Sequence, residues 1–349
     1  MIKLISGVYS NECQMKPRAY ITRRIPEVGV KLLKEYCEVI YRDEVPPPTR
    51  EELIKAVRDV DALYCTLNEK IDKEVLDNAQ RLKVVGTMSV GVDHIDIGHA
   101  TSKGVYVVHT PGVLTETVAD HTWALLLATA RRVVEADNLV RRGEWKIAWA
   151  PTMLLGHDIH GKVLGIIGLG RIGEAVARRS KGFGMKVLYY DVIRRKAAEE
   201  KLGLEYAPME RVLRESDFIS LHVPLTPQTR GLIGEEELRI MKKNAILINT
   251  SRGAVIDQKA LARALKEGWI AGAGLDVFEE EPIGSDDPLL KLTNIVLTPH
   301  IGSASHETRN RMAELAASGM ISVLRGKKPE NLFNPEVIKI RSLSEVRIL

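Results

Sequence analysis

Val163-Leu164-Gly165-Ile166-Ile167-Gly168-Leu169-Gly170-Arg171-Ile172-Gly173 is the stretch on which the reading of this chain turns. An apolar β run ends in glycines at 168, 170 and 173, the spacing G-x-G-x-x-G, and a helical pattern, Glu174-Ala175-Val176-Ala177, follows at once. Gly168 lets the chain turn sharply off the strand, Gly170 lets backbone approach a pyrophosphate, and Gly173 lets the new helix pack closely on the sheet. The helix start then offers free N–H groups and a positive dipole end to phosphates. The next β run, Val187-Leu188-Tyr189-Tyr190, ends in Asp191, an acid at the distance a dinucleotide site requires. A carboxylate there accepts hydrogen bonds from ribose hydroxyls and repels a 2′-phosphate. NAD(H) is therefore expected as cofactor and NADP(H) disfavoured, although Arg194 and Arg195 stand close enough to hold a phosphate. The plain alternative is a glycine turn beside an ordinary surface Asp. Strand, helix and acid in register argue against it.

Outward from this motif, short β runs alternate with amphipathic helical stretches, the pattern of parallel sheets with helical crossovers. Before it the expected strands are 2–5, 39–41, 62–65, 83–86 and 105–108. From it onward they are 163–168, 186–190, 218–223, 245–249, 272–277 and 295–298. Pro46-Pro47-Pro48 marks a stiff loop, and Thr49 with Glu52 reads as a capping box opening a helix. One long helix is expected over 114–142, apolar over so wide an arc that a second domain or another subunit must cover it. Another is expected over 305–325, then a tail.

The length of 349 residues suits two domains. Charged residues make up 28%, and the formal net charge of +4 is spread along the chain without a basic block, so no nucleic-acid partner is expected. The start reads as a strand and not as a signal peptide, the most apolar run, 123–128, is too short to span a bilayer, and no membrane partner is expected. Three cysteines, Cys13, Cys37 and Cys65, match no metal spacing and read as buried thiols of a cytoplasmic protein. No metal site is expected; His222 and His300 with scattered acids do not form one.

Three further β runs end in polar groups, where an open α/β sheet places its ligands. They are Ile248-Asn249-Thr250-Ser251-Arg252-Gly253, Gly274-Leu275-Asp276-Val277-Phe278-Glu279-Glu280-Glu281-Pro282 and Leu297-Thr298-Pro299-His300-Ile301-Gly302-Ser303. Hydride transfer to a 2-oxo acid needs a cation for the carboxylate, a proton donor for the ketone oxygen, and an acid to orient that donor. Arg252 suits the first through its bidentate fork. His300 suits the second, with an unperturbed pKa of about 6.5. Glu281 suits the third. Taken singly, each is as well explained by a surface charge, a structural histidine or a solvated acidic turn. Three at successive strand ends, downstream of a dinucleotide motif, reverse that reading. The other histidines, His121 and His222 among them, have no such setting and read as structural.

These blocks, with Ser89-Val90-Gly91-Val92-Asp93 and Leu221-His222-Val223-Pro224-Leu225-Thr226, resemble the D-isomer-specific 2-hydroxyacid dehydrogenases over nearly the whole chain. Within that family the runs 123–131 and 266–274 look most like glyoxylate/hydroxypyruvate reductases, especially archaeal ones. The resemblance implies an α/β fold of two doubly wound domains: a Rossmann NAD-binding domain, 108–301, inserted in a discontinuous flavodoxin-like substrate domain, 1–107 with 302–334, and a tail over 335–349. It implies Arg252, Glu281 and His300 as catalytic residues. It puts Gly168, Leu169, Gly170, Arg171, Ile172, Gly173, Asp191, Val192, Ile193, Val223, Thr250, Ser251, Arg252, Asp276, His300, Ile301 and Gly302 against the cofactor, Asp276 at its carboxamide end. Val90 and Gly91 would offer N–H groups to a small 2-oxo or 2-hydroxy acid, Leu67 would line its pocket, and Arg252 and His300 would complete the substrate contacts. A homodimer through the helix after Pro111 is implied, with Trp149 reaching the neighbouring subunit's pocket. Some archaeal relatives carry a Ser-Arg-Thr type segment where this chain has Asp191-Val192-Ile193, so their cofactor preference does not transfer.

Three other readings share these blocks. D-3-phosphoglycerate dehydrogenase would need extra cations near the Val90 loop, where Lys83 is the one candidate. Phosphite dehydrogenase shares the Arg-Glu-His set. A dinucleotide-sensing corepressor scaffold would need partner-binding extensions that the short stretch after Lys327 does not supply. Formate dehydrogenase fits poorly, because Glu281 stands where that enzyme resembles a Gln site.

Overall fold

The computed structural model describes residues 16–349. These divide into two compact units: one comprises the described residues up to Pro111 together with Arg309–Leu349, the other Gly112–Thr308. The breaks fall a few residues beyond the expected 107/108 and 301/302. Each lies close to the start of a long helix, Thr115–Ala130 or His306–Leu324.

The first unit is built on β1 (Arg18–Ile21), β2 (Glu38–Tyr41), β3 (Ala62–Cys65), β4 (Val84–Thr87) and β5 (Tyr106–Val108). They form a parallel sheet in the order β2-β1-β3-β4-β5, a doubly wound flavodoxin-like arrangement. Every residue of β3 and β4 is buried, as expected of strands covered on both faces. The helix Arg50–Val57 opens with the expected capping box: the Glu52 N–H donates to the Thr49 hydroxyl at 3.2 Å and the Thr49 N–H donates to Glu52 at 2.8 Å.

The expected strand 2–5 lies outside the described residues. The first described strand, β1, is not apparent in the sequence because Pro17, Arg18, Arg23 and Arg24 break up its short apolar run. The stretch 335–349 is no loose tail. Val337 and Val346 are fully buried, and the Tyr106 hydroxyl donates to the Arg341 carbonyl at 2.6 Å. Beside it, buried Asn334 bonds the backbone of β5, accepting from Val107 N–H at 2.8 Å and donating to Val105 C=O at 3.0 Å. An edge strand needs such cover for its open hydrogen-bonding groups, and sequence periodicity cannot show where it comes from.

The second unit contains β6 (Val163–Ile167), β7 (Lys186–Tyr190), β8 (Glu205–Tyr206), β9 (Phe218–Leu221), β10 (Ile246–Asn249), β11 (Gly272–Leu275) and β12 (Ile295–Leu297). All are parallel, in the order β12-β11-β10-β9-β6-β7-β8. The direction of winding reverses between β6 and β9, so the crevice of this Rossmann sheet opens at the end of β6, where Gly168 lies. The two-residue β8 is too short to show in the sequence pattern.

The single helix expected over 114–142 is two helices, Thr115–Ala130 and Val133–Arg141. The first ends because the returning chain occupies its last carbonyl: His157 N–H donates to Ala130 C=O at 2.8 Å. Arg132 then takes a left-handed backbone (φ 53°), its guanidinium forked on Glu135 at 2.8 Å through both contacts. The first helix buries Val118, Trp123, Leu125 and Leu126, whereas the second buries nothing.

A buried charge cluster ties the strand starts of the first unit. Asp61, 2% exposed, accepts from Arg18 N–H at 3.0 Å and pairs with Lys83 at 3.1 Å and Arg81 at 3.2 Å. Burial pushes its carboxyl up, but the Arg18 N–H and the two cations outweigh that and hold it below the usual carboxylate range. A depressed carboxyl stabilises the fold above its unfolded value and loses that contribution as pH falls through its folded value. Asp61→Asn leaves the half-buried Lys83 without its anion and is expected to cost about 3 kcal/mol at pH 7. The difference from wild type should shrink as pH falls below about 4, which urea unfolding at several pH values would measure.

Candidate active site

The end of β6 is shaped by what its glycines lack. Gly168 has φ +93°, in the left-handed region, and a Cβ there would come within 2.8 Å of the His222 backbone. A Cβ on Gly173 would overlap the Gly168 carbonyl oxygen, so only glycine lets the helix Arg171–Ser180 sit this close to the strand. Gly170 caps that helix with no side-chain hydrogen bond, and nothing lies within 4 Å of where its Cβ would be. Leu169 is buried, Arg171 is exposed and Ile172 packs partly into the core behind. Uncapped N–H groups beside open space are what a pyrophosphate needs, so these residues fit a dinucleotide.

Asp191 follows β7 and faces the same turn. Its carboxylate accepts from Leu169 N–H at 2.8 Å and from Ile193 N–H at 3.0 Å. Val192 and Ile193 are exposed and apolar. Arg194, which the sequence offers as a phosphate ligand, is forked on Glu199 at 2.9 and 2.8 Å. The Tyr189 hydroxyl joins Glu199 at 2.6 Å, and Arg194 with Tyr189 pulls the Glu199 carboxyl down to about 2. Val223, in the loop after β9, lies close enough to contact a Cβ placed on Gly168.

Beyond β10 the chain makes a tight turn. Asn249, fully buried, accepts from the Ser251 N–H at 3.0 Å and hydroxyl at 2.8 Å, and donates to Arg252 C=O at 2.9 Å. Thr250 shares a 2.9 Å hydrogen bond with Thr122. Arg252 is half-buried in extended backbone, with Nη1 donating to Ser251 C=O at 2.9 Å. A Cβ on Gly253 would overlap the Phe278 backbone, so the loops after β10 and β11 pass in direct backbone contact.

The loop after β11 carries Glu281. Its Oε1 accepts from Phe278 N–H at 3.0 Å, and its Oε2 lies 2.6 Å from His300 Nδ1. Both side chains are about one-third exposed. His300 itself has φ 54°, rare for a residue with a side chain, while its N–H donates to Asp276 C=O at 2.9 Å. The Asp276 carboxylate, 1% exposed, accepts from Ile301 N–H at 2.8 Å and Gly302 N–H at 2.7 Å. It also meets Thr298 at 2.6 Å and His121 at 3.2 Å.

Glu281 and His300 are thus paired, the Arg252 loop touches the loop that carries Glu281, and Asp276 underlies His300. In the first unit the loop after β4 holds Val90 and Gly91, both half-buried. His109 Nδ1 lies 2.9 Å from Val90 C=O, and the Ser89 hydroxyl donates to Gly91 C=O at 2.6 Å. Leu67 is half-buried in the loop after β3. Lys83, the cation that sequence set near the Val90 loop, is bound to Asp61 at the opposite end of β4. Sequence reasoning missed His121: one histidine in an apolar helix gives no sign of its partner far along the chain.

A family model for the D-isomer specific 2-hydroxyacid dehydrogenase, NAD binding domain, matches residues 123–302. The chain is 60% identical to the glyoxylate reductase of Korarchaeum cryptofilum (strain OPF8) over 328 residues, 94% of this chain and 98% of that one. It belongs to the D-isomer specific 2-hydroxyacid dehydrogenases. Among solved structures, a Thermus thermophilus protein superposes with a TM-score of 0.85 at 46% identity, covering 90% of this chain and 99% of that one. An NADPH-dependent glyoxylate/hydroxypyruvate reductase from Sinorhizobium meliloti, solved with NADP and malonate, gives 0.81 at 32% identity, covering 92% and 98%. As a member of this family the protein is an oxidoreductase with a dinucleotide-binding domain. Among the described residues no helix is long and apolar enough to cross a membrane.

Proposed function

We propose that this dehydrogenase reduces glyoxylate, and hydroxypyruvate beside it, with NADH, giving D-glycerate from the latter. The 2.6 Å pairing of His300 with Glu281 at the strand ends carries this reading. Nδ1 is committed to the carboxylate, which leaves Nε2 as the proton donor. When bound, the nicotinamide supplies a hydride to C2 of the substrate. Negative charge then builds on the ketone oxygen as its C=O π bond breaks, and His300 as imidazolium gives that oxygen its Nε2 proton. Glu281 holds the ring in place and balances its charge. Arg252 grips the carboxylate and polarises the carbonyl, more strongly as the oxygen becomes anionic. Val90 and Gly91 N–H groups bind the substrate carboxylate and Leu67 lines the pocket. Lys83 is committed to Asp61, which removes the cation a phosphorylated substrate would need. The cytoplasm is the compartment we expect for this reaction.

His300→Ala is expected to lower kcat for glyoxylate reduction by roughly 10²- to 10⁴-fold, the range for a lost general acid. Arg252→Ala should raise KM and lower kcat together. Glu281→Gln should lower kcat with a smaller effect on KM, because the imidazole loses the carboxylate that holds its ring. Steady-state kinetics across a panel of 2-oxo acids tests all three. A His300→Ala enzyme with near wild-type turnover would end the assignment.

We infer NADH in preference to NADPH from Asp191 against the glycine turn, from the apolar Val192 and Ile193, and from the engagement of Arg194 by Glu199. Asp191→Ser should narrow the gap in kcat/KM between the two cofactors only modestly, since Arg195 alone stays at hand. A wild type that favours NADPH would refute the inference.

We also propose a homodimer. The helix Val133–Arg141 buries none of its own side chains, and Val133, Val134, Val140, Trp145, Ile147 and Trp149 are all exposed. So much clustered apolar surface calls for a partner, and a second copy of this chain fits it, with Trp149 carried to the neighbour. Light scattering at micromolar concentration should give a dimer mass; a monomer there would exclude it.

A further inference from the structure

His121 sits in the middle of the helix Thr115–Ala130, far from β11 and β12 in sequence, yet its ring reaches the loops that follow both. Its side chain is 16% exposed, and Nε2 lies 3.2 Å from Asp276 Oδ1 and 3.0 Å from the Thr298 hydroxyl. Burial pushes the Asp276 carboxyl up, but hydrogen bonds from His121, Thr298 and the Ile301 N–H prevail and hold it below the usual carboxylate range. An ionised carboxylate only accepts. The Thr298 hydroxyl, 2.6 Å from the same oxygen, must therefore donate to it. Facing that carboxylate and a hydroxyl whose proton is already committed, His121 Nε2 must carry a proton and donate.

The other side of Asp276 holds the segment that presents His300. Oδ1 accepts from Ile301 N–H, Oδ2 from Gly302 N–H, and the Asp276 carbonyl from His300 N–H. These three bonds enclose the one residue of the loop with a left-handed backbone. That conformation costs of order 1–3 kcal/mol and persists only where the surroundings over-determine it. The Asp276 carboxylate is the clamp, and among the described residues the Nε2–H of His121 is the one donor that reaches it from outside the β11 and β12 loops. We propose that His121 is a positioning residue: it fixes the Asp276 carboxylate, and through it the turn that aims His300 at Glu281. The inference rests on the proposed role of His300 as proton donor.

The test compares His121→Ala, His121→Gln and His121→Asn in the full-length protein. Gln places an N–H donor close to where Nε2 stands; Asn is too short to reach. A misaimed acid costs turnover more than binding. His121→Ala should therefore lower kcat for glyoxylate about tenfold or more, with NADH affinity by fluorescence within about twofold of wild type. The deuterium isotope effect with NADH labelled in its transferred position should rise, because the chemical step becomes slower. Gln should restore most of kcat and Asn should not. In a His300→Ala background the His121 change should cost little further, since its effect passes through the missing ring.

Unchanged kcat in His121→Ala, equal activity of Gln and Asn, or a full additional loss in the His300→Ala background would each overturn the proposal. If the Ala variant is too unstable to assay, the Gln–Asn comparison and the double variant decide. Failure of the underlying reading has its own mark, a His300→Ala enzyme that turns over normally whatever stands at 121.

Discussion

The backbone of the helix Arg171–Ser180 lies against the carbonyl of Gly168 with no room for a Cβ at Gly173. That contact sets the end of β6, and the site is organised around the end of β6. It brings the helix start, with its unsatisfied N–H groups, over the point where the sheet reverses its winding. It also lets Leu169 N–H reach the Asp191 carboxylate at the end of β7. A second contact of this kind, Gly253 on the Phe278 backbone, brings the Arg252 loop to the loop of Glu281. The loops of Arg252, Glu281 and His300 lie together because β10, β11 and β12 are neighbouring parallel strands that end on the same side of the sheet.

Two of the buried carboxylates are each held from several directions. Asp61 has two cations and an N–H; Asp276 has two N–H groups, a hydroxyl and an imidazole. Taking a carboxylate out of water costs several kcal/mol unless its lone pairs are met, and such a group resists rotation once they are. Asp276 can for that reason hold His300 in a backbone conformation the residue would not adopt unaided. His300, which is proposed to give a proton to the substrate, and Glu281, which is proposed to hold its ring, stay about one-third exposed. The contrast separates groups that fix the frame from groups that work within it.

Much of this is legible along the chain. The glycine spacing, the acid after the next strand and the polar strand ends depend on neighbours a few residues apart, where backbone geometry links sequence to structure directly. Alternating β and helical runs likewise imply parallel sheets, because a parallel pair needs a crossover and a helix supplies it. The differences lie where distant segments meet. Helix 114–142 breaks at Ala130 because His157 returns to take its carbonyl. Residues 335–349 pack because Asn334 and Arg341 complete β5. Spacing alone leaves Arg194 a free cation, because it cannot pair that residue with Glu199.

By itself, then, the sequence determined the two doubly wound sheets, the dinucleotide turn and the identity of Arg252, Glu281 and His300 as residues at strand ends. Each follows from local periodicity or from a glycine that no other residue could replace. Only the tertiary structure decided which polar groups meet: His300 with Glu281, Asp276 with the turn after His300, His121 with Asp276, Lys83 with Asp61. A hydrogen bond is settled by a few tenths of an ångström between atoms whose residues stand up to 155 positions apart along the chain. Such distances come from how sheets and helices pack, and spacing along the chain does not encode them.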